Sequence, residues 1–213
     1  MGAHQAGAIE ILHVGSTAPR KRIDVLLRTF AAVRATYPNA RLVRVGGPLT
    51  FTQMTLSREL GVAHAVVTLP FVSREILGSI YRRAAVVLQP SEREGFGLPV
   101  IEALACGTLV IATDLPALRE TGGQAAIYCP LADVRRWNEA VCALLQERSH
   151  QTIRWIARRG VAVEHAALFT WAEHARKVTE VYNDLLARPV AIQSRHDDGV
   201  DCLARQSMRL GAR

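Results

Sequence analysis

The sequence predicts an α/β protein built as one Rossmann-like, doubly wound parallel sheet with extra helices at the C-terminal end. Three observations lead there. Six short apolar runs recur along the chain, each followed by a polar or glycine-bearing loop and then by a helical pattern. The runs are apolar throughout rather than alternating, as strands buried on both faces are. Strands alternating with helices in this way place helices on both faces of a parallel sheet. The 213 residues suit one core, and not comfortably two.

In order, residues 1–8 are small and polar and read as a loose N-terminus. Ile9 to Val14 is the first strand, ending at Gly15. After the loop STAPRKR, from Ser16 to Arg22, a helix carries Ile23, Leu26, Leu27, Phe30 and Val33 on one stripe, and Pro38 ends it. Arg41 to Val45 is the second strand, stopped by Gly46, Gly47 and Pro48. A helix from Thr52 to Leu60 ends at Gly61, which suits a C′ residue. Ala65 to Leu69 is the third strand. Ser73 then reads as the N-cap of a helix bearing Ile76, Leu77, Ile80 and Tyr81. Ala85–Gln89, Leu109–Ala112 and Ala125–Cys129 complete the set of strands, with a short helical turn from Pro116 to Glu120 before the last. Asp133 can cap a helix with Trp137, Val141, Leu144 and Leu145 on one face, and another helix covers Thr152 to Glu164. Thr170 and Glu173 form a capping box opening a helix with Ala175, Val178, Tyr182 and Leu185.

Composition excludes several classes. With 49% hydrophobic and 21% charged residues the chain is globular, not disordered. The net charge of +7 suits an anionic ligand or an anionic membrane surface. It is not a nucleic-acid footprint, because the arginines are scattered and no basic run is interleaved with aromatics. Arg195, Arg205, Arg209 and Arg213 lie beyond the last helix, so residues 189–213 read as a disordered basic tail. Cys106, Cys129, Cys142 and Cys202 lack pair spacing, which points to free thiols in a reducing compartment. No charged n-region precedes a long apolar stretch, and nothing approaches the length of a membrane span. The expected location is the cytoplasm, with peripheral contact to the inner membrane face left open. The histidines show no metal-ligand spacing, and His13 at the end of the first strand reads as packed or surface.

The stretch PSEREGFGLPVIEALACG, from Pro90 to Gly107, organises the rest. It leaves the fourth strand, passes through a loop holding Gly95 and Gly97, and enters a short apolar helix. Glycines let a backbone approach a ligand closely, and the helix start offers free N–H groups to an anion. Glu94 and Glu102, with seven residues between them, cannot partner a phosphate, but each can accept paired hydrogen bonds from vicinal hydroxyls. A phosphate site with one carboxylate for each of two sugars describes a nucleotide-sugar site.

The run EGFGLPVIE, from Glu94 to Glu102, followed by ALACGT, resembles the glutamate-x7-glutamate motif of the family 4 retaining glycosyltransferases. The resemblance covers about residues 9–188 and implies the C-terminal, donor-binding half of a GT-B fold. It implies that Glu94 holds hydroxyls of the donor sugar and Glu102 the ribose. In the family, the loop after the first strand carries an Arg and, further on, a Lys, both on the diphosphate. Here Lys21 matches the second position, while Ser16 stands at the first and departs from it. Either Arg20 or Arg22 stands in for the missing cation, or phosphate stabilisation is weaker. Cations beside the positive end of a helix are unfavourable without an anion, which favours a ligand role for Lys21 and Arg20. Gly15, Gly47, Val72, Phe96 and Leu98 fall at positions that the resemblance places near the donor, whereas Glu120 reads as structural.

The implied activity is retaining transfer of a sugar from a nucleotide diphosphate sugar to an acceptor hydroxyl, with Glu94 and Lys21 catalytic and with no cofactor or metal. The resemblance begins at the first strand of the second GT-B domain, so the acceptor is expected from a partner chain or another domain, or the chain self-associates. The alternative is a donor-binding subunit or truncated remnant without catalysis of its own. A sugar-nucleotide epimerase is a third, weaker reading.

Overall fold

The structure is a computed structural model and describes residues 9–150 and 152–187. It divides into two compact units, one ending at Thr170 and one beginning at Trp171.

The first unit is the expected α/β domain. Its strands are β1 (Glu10–Val14), β2 (Arg41–Val45), β3 (Val66–Leu69), β4 (Val86–Gln89), β5 (Val110–Thr113) and β6 (Ala126–Cys129). All pairings are parallel, in the order β3-β2-β1-β4-β5-β6. Its helices are α1 (Ile23–Thr36), α2 (Phe51–Glu59), α3 (Arg74–Arg83), α4 (Leu98–Ala105), α5 (Pro116–Gly122), α6 (Val134–His150) and α7 (Thr152–Ala166). α1 packs beside α6, and α4 beside α5 and α7. Strands buried on both faces explain the continuous apolar runs. Ile11, Leu12, Val86, Val87, Leu88, Val110 and Ile111 are all fully buried.

The predicted helical stripes are the buried ones. Ile23, Leu26, Leu27, Phe30 and Val33 of α1 are buried, as are Trp137, Val141, Leu144 and Leu145 of α6. Asp133 caps α6 as expected, its Oδ1 accepting from the Arg136 N–H at 3.1 Å. Three local differences have physical causes. α2 starts at Phe51 because Thr50 and Gln53 form a reciprocal capping box that fixes its first turn. Ala65 belongs to a 3-10 turn, Ala63–Ala65, that leads into β3. Ile76, expected on the apolar stripe of α3, is exposed, because only the Ile80–Tyr81 end of that helix is buried.

The second unit is described from Trp171 to Ala187 as one helix, α8, in which Arg176 pairs with Glu173 at 2.6 Å and with Glu180. None of its residues is buried. Among the described residues no helix is long and apolar enough to cross a membrane. The expectations for residues 1–8 and 189–213, and for Cys202, lie outside the described residues; Cys106, Cys129 and Cys142 are free thiols.

Candidate functional site

The strand order makes the site. β1 and β4 are neighbours although the helices and strands from α1 to α3 separate them in sequence, and the chain winds outward from them in opposite directions. In such sheets the loops leaving the two central strands diverge and open a crevice beyond their carboxyl ends. The loops that meet here are those carrying Ser16 to Arg22 and Ser91 to Gly97.

Pro19–Lys21 form a 3-10 turn, and the Arg20 carbonyl accepts from the Glu92 N–H at 2.7 Å, tying the two loops together. Across this junction the Lys21 ammonium donates to Glu94 Oε1 at 2.5 Å, with both side chains less than a tenth exposed. Gln89 Nε2 and Ser91 Oγ donate to the same oxygen at 2.6 and 2.7 Å, and Arg20 Nη1 donates to Oε2 at 3.3 Å. Burial alone would raise the Glu94 pKa. The hydrogen bonds from Lys21, Ser91 and Gln89 outweigh it and hold the carboxyl below its ordinary value. Glu94 is therefore a fixed anion whose Oε2 has the weaker hold and remains the better acceptor for a ligand.

Glu102 stands in a separate network. It is exposed on α4, and Tyr81 of α3, itself buried, donates its hydroxyl to Glu102 Oε2 at 2.8 Å. Burial and the neighbouring carboxylate push the Tyr81 hydroxyl's pKa up, which keeps it a donor. Among the described residues the two glutamates of the motif share no hydrogen-bond partner.

The glycines divide in a way that spacing did not show. Gly97, at φ +88°, has no room for a side chain: a Cβ would lie 2.6 Å from Leu118 Cδ2 and 3.3 Å from Thr121 Oγ1. Its lack of a side chain serves the packing of α4 on α5, a role that the spacing did not show. Gly95 and Gly47 would meet nothing within 4 Å and face open space. Gly46 is again structural, since its Cβ would lie 2.4 Å from the Gly15 carbonyl oxygen.

The helix start is a poorer anion site than expected. Pro99 has no N–H and Val100 donates to the Gly97 carbonyl at 2.8 Å, which leaves the first three positions chiefly with Leu98. Leu98 is exposed, and Phe96 packs edge-to-face on Phe169 at 6.1 Å. Ser16 is exposed, and its hydroxyl accepts a long 3.5 Å bond from the Ala18 N–H. Val72 is half-buried after the edge strand β3, two strands from β1, and joins none of the Glu94 contacts.

The loop cations already have anions within the protein. Lys21 and Arg20 find Glu94, while Arg22 pairs with Asp24 at 2.8 Å and lies 3.9 Å from Glu92. Protein carboxylates answer these charges, so the cations alone do not point to a phosphate. Sequence reasoning missed Gln89, Ser91 and Tyr81 as partners of the motif glutamates, and a buried basic residue, Arg44, beneath the Gly15 loop. One signal was available: Gln89, Arg44 and His13 are polar residues at buried positions of strands whose other buried residues are apolar. Among the described residues no group of three or more His, Cys, Asp or Glu is placed to hold a metal.

A family model described as glycosyl transferases group 1 matches residues 8–147. The D-inositol 3-phosphate glycosyltransferase of Thermobispora bispora is 34% identical over an alignment covering 86% of this chain and 45% of that protein. The protein of the same name from Mycobacteroides abscessus is 34% identical, over 83% of this chain and 40% of that one. Among solved structures, the sucrose-phosphate synthase from Thermosynechococcus elongatus matches with a TM-score of 0.72 and 28% identity, over 84% of this chain and 46% of that chain. The chain thus spans about half the length of the curated relatives it matches.

Proposed function

We propose that this chain, which belongs to the glycosyl transferases group 1 family, binds a nucleotide diphosphate sugar in the crevice beyond β1 and β4 and serves transfer of that sugar to an acceptor hydroxyl. The observation that carries the reading is the Glu94–Lys21 pair, a buried carboxylate and ammonium at 2.5 Å where two loops from the central strands converge. Glu94 Oε2 takes hydroxyls of the donor sugar, and Lys21 and Arg20, held in place by Glu94, present positive charge to the leaving diphosphate. Fixed cations at a developing negative charge are typically worth about 3 kcal/mol in the transition state. Glu102, set apart on Tyr81 with Oε1 open, takes the ribose.

The geometry also bears on stereochemistry. A carboxylate that carries several donors and is held below its usual pKa is a weakened nucleophile, and Glu94 has three donors on Oε1 and one on Oε2. This favours retention by attack on the leaving group's own face over a glycosyl-Glu94 intermediate. The acceptor hydroxyl comes from a second domain or a partner chain. A cytoplasmic protein whose +7 charge suits an anionic donor or an anionic bilayer surface fits this role.

The test is a calorimetric titration of the chain with UDP, GDP and ADP and their sugar conjugates. One nucleoside diphosphate is expected to bind, with the affinity lost in Glu102→Ala. Glu94→Ala should spare the bare diphosphate and weaken its sugar conjugate. Equal losses for both ligands in Glu94→Ala would overturn the division of roles, and a folded chain that binds none would overturn the donor-site reading.

A further inference from the structure

Lys21, His13 and Arg44 converge on Gly15, and of the two that carry charge only Lys21 has a carboxylate partner among the described residues. A Cβ built on Gly15 would lie 3.4 Å from Lys21 Cε and 3.3 Å from His13 Cε1, so these two side chains flank it. Arg44, the fourth residue of β2, donates Nη2 to the Gly15 carbonyl at 3.0 Å and Nη1 to the Gly47 carbonyl at 3.3 Å. Arg44 and His13 are fully buried and Lys21 nearly so. Lys21 has Glu94. Among the described residues Arg44 has no carboxylate partner, its Nε has no acceptor, and both ring nitrogens of His13 lack a partner.

The electrostatics agree with this count. Burial lowers the Arg44 pKa with no anion to offset it. Burial, Arg44 and Lys21 together press His13 down to about 3, so the imidazole stays neutral and the positive field there is not relieved. Removing a charge from water without a counter-charge is strongly unfavourable, and two carbonyls compensate it only in part.

We propose that Arg44 is a positioning residue for the anionic diphosphate portion of the ligand. It draws the Gly15 and Gly47 carbonyl oxygens onto its guanidinium, keeping their partial negative charge away from the anion, and it adds a positive field from beneath the loop. Arg44 does not touch the ligand; it acts through the two glycine loops. Gly46, whose Cβ would lie 2.4 Å from the Gly15 carbonyl oxygen, locks those loops together. The inference rests on the donor-site reading above and names a residue that the motif does not contain.

Two substitutions separate charge from packing. Arg44→Gln keeps hydrogen-bond donors for the carbonyls and removes the charge, whereas Arg44→Lys keeps the charge and loses the fork. For the nucleoside diphosphate that the unaltered chain binds, Arg44→Gln should lower affinity about tenfold, the order of one lost charge interaction, with nucleoside binding by ligand-observed NMR unchanged. Arg44→Lys should keep the ratio of diphosphate to nucleoside affinity within about threefold. Adding Ser16→Arg, an exposed cation on the same loop, should restore diphosphate binding to Arg44→Gln.

Unchanged diphosphate binding in Arg44→Gln, or equal losses for nucleoside and diphosphate, would overturn the proposal. Should Arg44→Gln fail to fold, Arg44→Met takes its place: a loss of diphosphate affinity that Ser16→Arg restores would support the proposal, and an unchanged ratio of diphosphate to nucleoside affinity would overturn it. If the unaltered chain binds no nucleoside diphosphate, the donor-site reading falls and this inference with it. If it binds and Arg44→Gln binds equally, only the inference falls.

Discussion

Glu94 and Glu147 look alike in isolation. Their side chains are 7% and 9% exposed, and each has two basic side chains within ion-pair reach. Their surroundings differ. Glu94 lies beyond the carboxyl ends of β1 and β4 and receives hydrogen bonds from Lys21, Arg20, Gln89 and Ser91. Glu147 lies near the end of α6, 2.8 Å from Arg158 Nε and 3.4 Å from Arg154 Nε, and its Oε1 makes no well-aligned hydrogen bond. A cavity beside it, lined by Ile127, Ala140, Leu144 and His150, adjoins the edge strand β6 rather than the crevice. A buried ion pair is thus no sign of a site by itself. What marks Glu94 is its place at the centre of the sheet, directional polar partners that fix the carboxylate, and open backbone at Gly95, the next residue in its loop.

The largest test of that contrast is the removal of one partner from each pair. Lys21→Ala removes the buried cation from Glu94 and leaves it Gln89, Ser91 and the half-exposed Arg20; it should cost about 2–3 kcal/mol in urea denaturation, with loss of diphosphate-sugar binding. Arg158 is 37% exposed and Arg154 remains beside Glu147, so Arg158→Ala should cost about 1 kcal/mol or less and leave nucleotide binding intact. Comparable losses of stability in both variants would erase the distinction.

Gly97→Ala comes next. A side chain 2.6 Å from Leu118 Cδ2 on a φ of +88° should cost about 1–3 kcal/mol. Gly95→Ala, with nothing within 4 Å, should change stability by less than about 0.5 kcal/mol and register only in donor affinity. Loss of stability in both would mean that the open side of the loop is not free.

Acidification sharpens the same comparison. The folded-state pKa of Glu94 is held below its ordinary value near 4.5, so its contribution to stability is complete above that value and is lost as pH falls through the folded pKa. The urea midpoint should fall below about pH 4.5, and Glu94→Gln should remove that part of the decline. An identical acid profile in Glu94→Gln would show that the hydrogen bonds do not hold the charge. The smallest effect belongs to Tyr81→Phe, which should cost about 1 kcal/mol for the lost bond to Glu102.

The local order of the fold was legible because its signals are local. Apolar runs gave six strands to within a residue or two, and stripes at three- and four-residue spacing gave the buried faces of α1 and α6. The motif's place after β4 was legible too. The partners of its glutamates were not, since Tyr81 reads as one more apolar-stripe residue of α3 and Gln89 as the end of a strand. The packing role of Gly97 was not legible because glycine's tolerance of positive φ looks the same in sequence whether the missing Cβ faces a ligand or Leu118.

By itself, then, the sequence determined the element order, the fold class and the pair of glutamates worth watching, since these depend on periodicity, turn residues and spacing within about twenty residues. Only the tertiary structure decided that β1 lies between β2 and β4. That placement brings Lys21 to Glu94 and Arg44 to Gly15, contacts across 73 and 29 residues of chain. The physical reason is that strand order in a parallel sheet is set by crossovers and by packing of helices on both faces, and no local period records it.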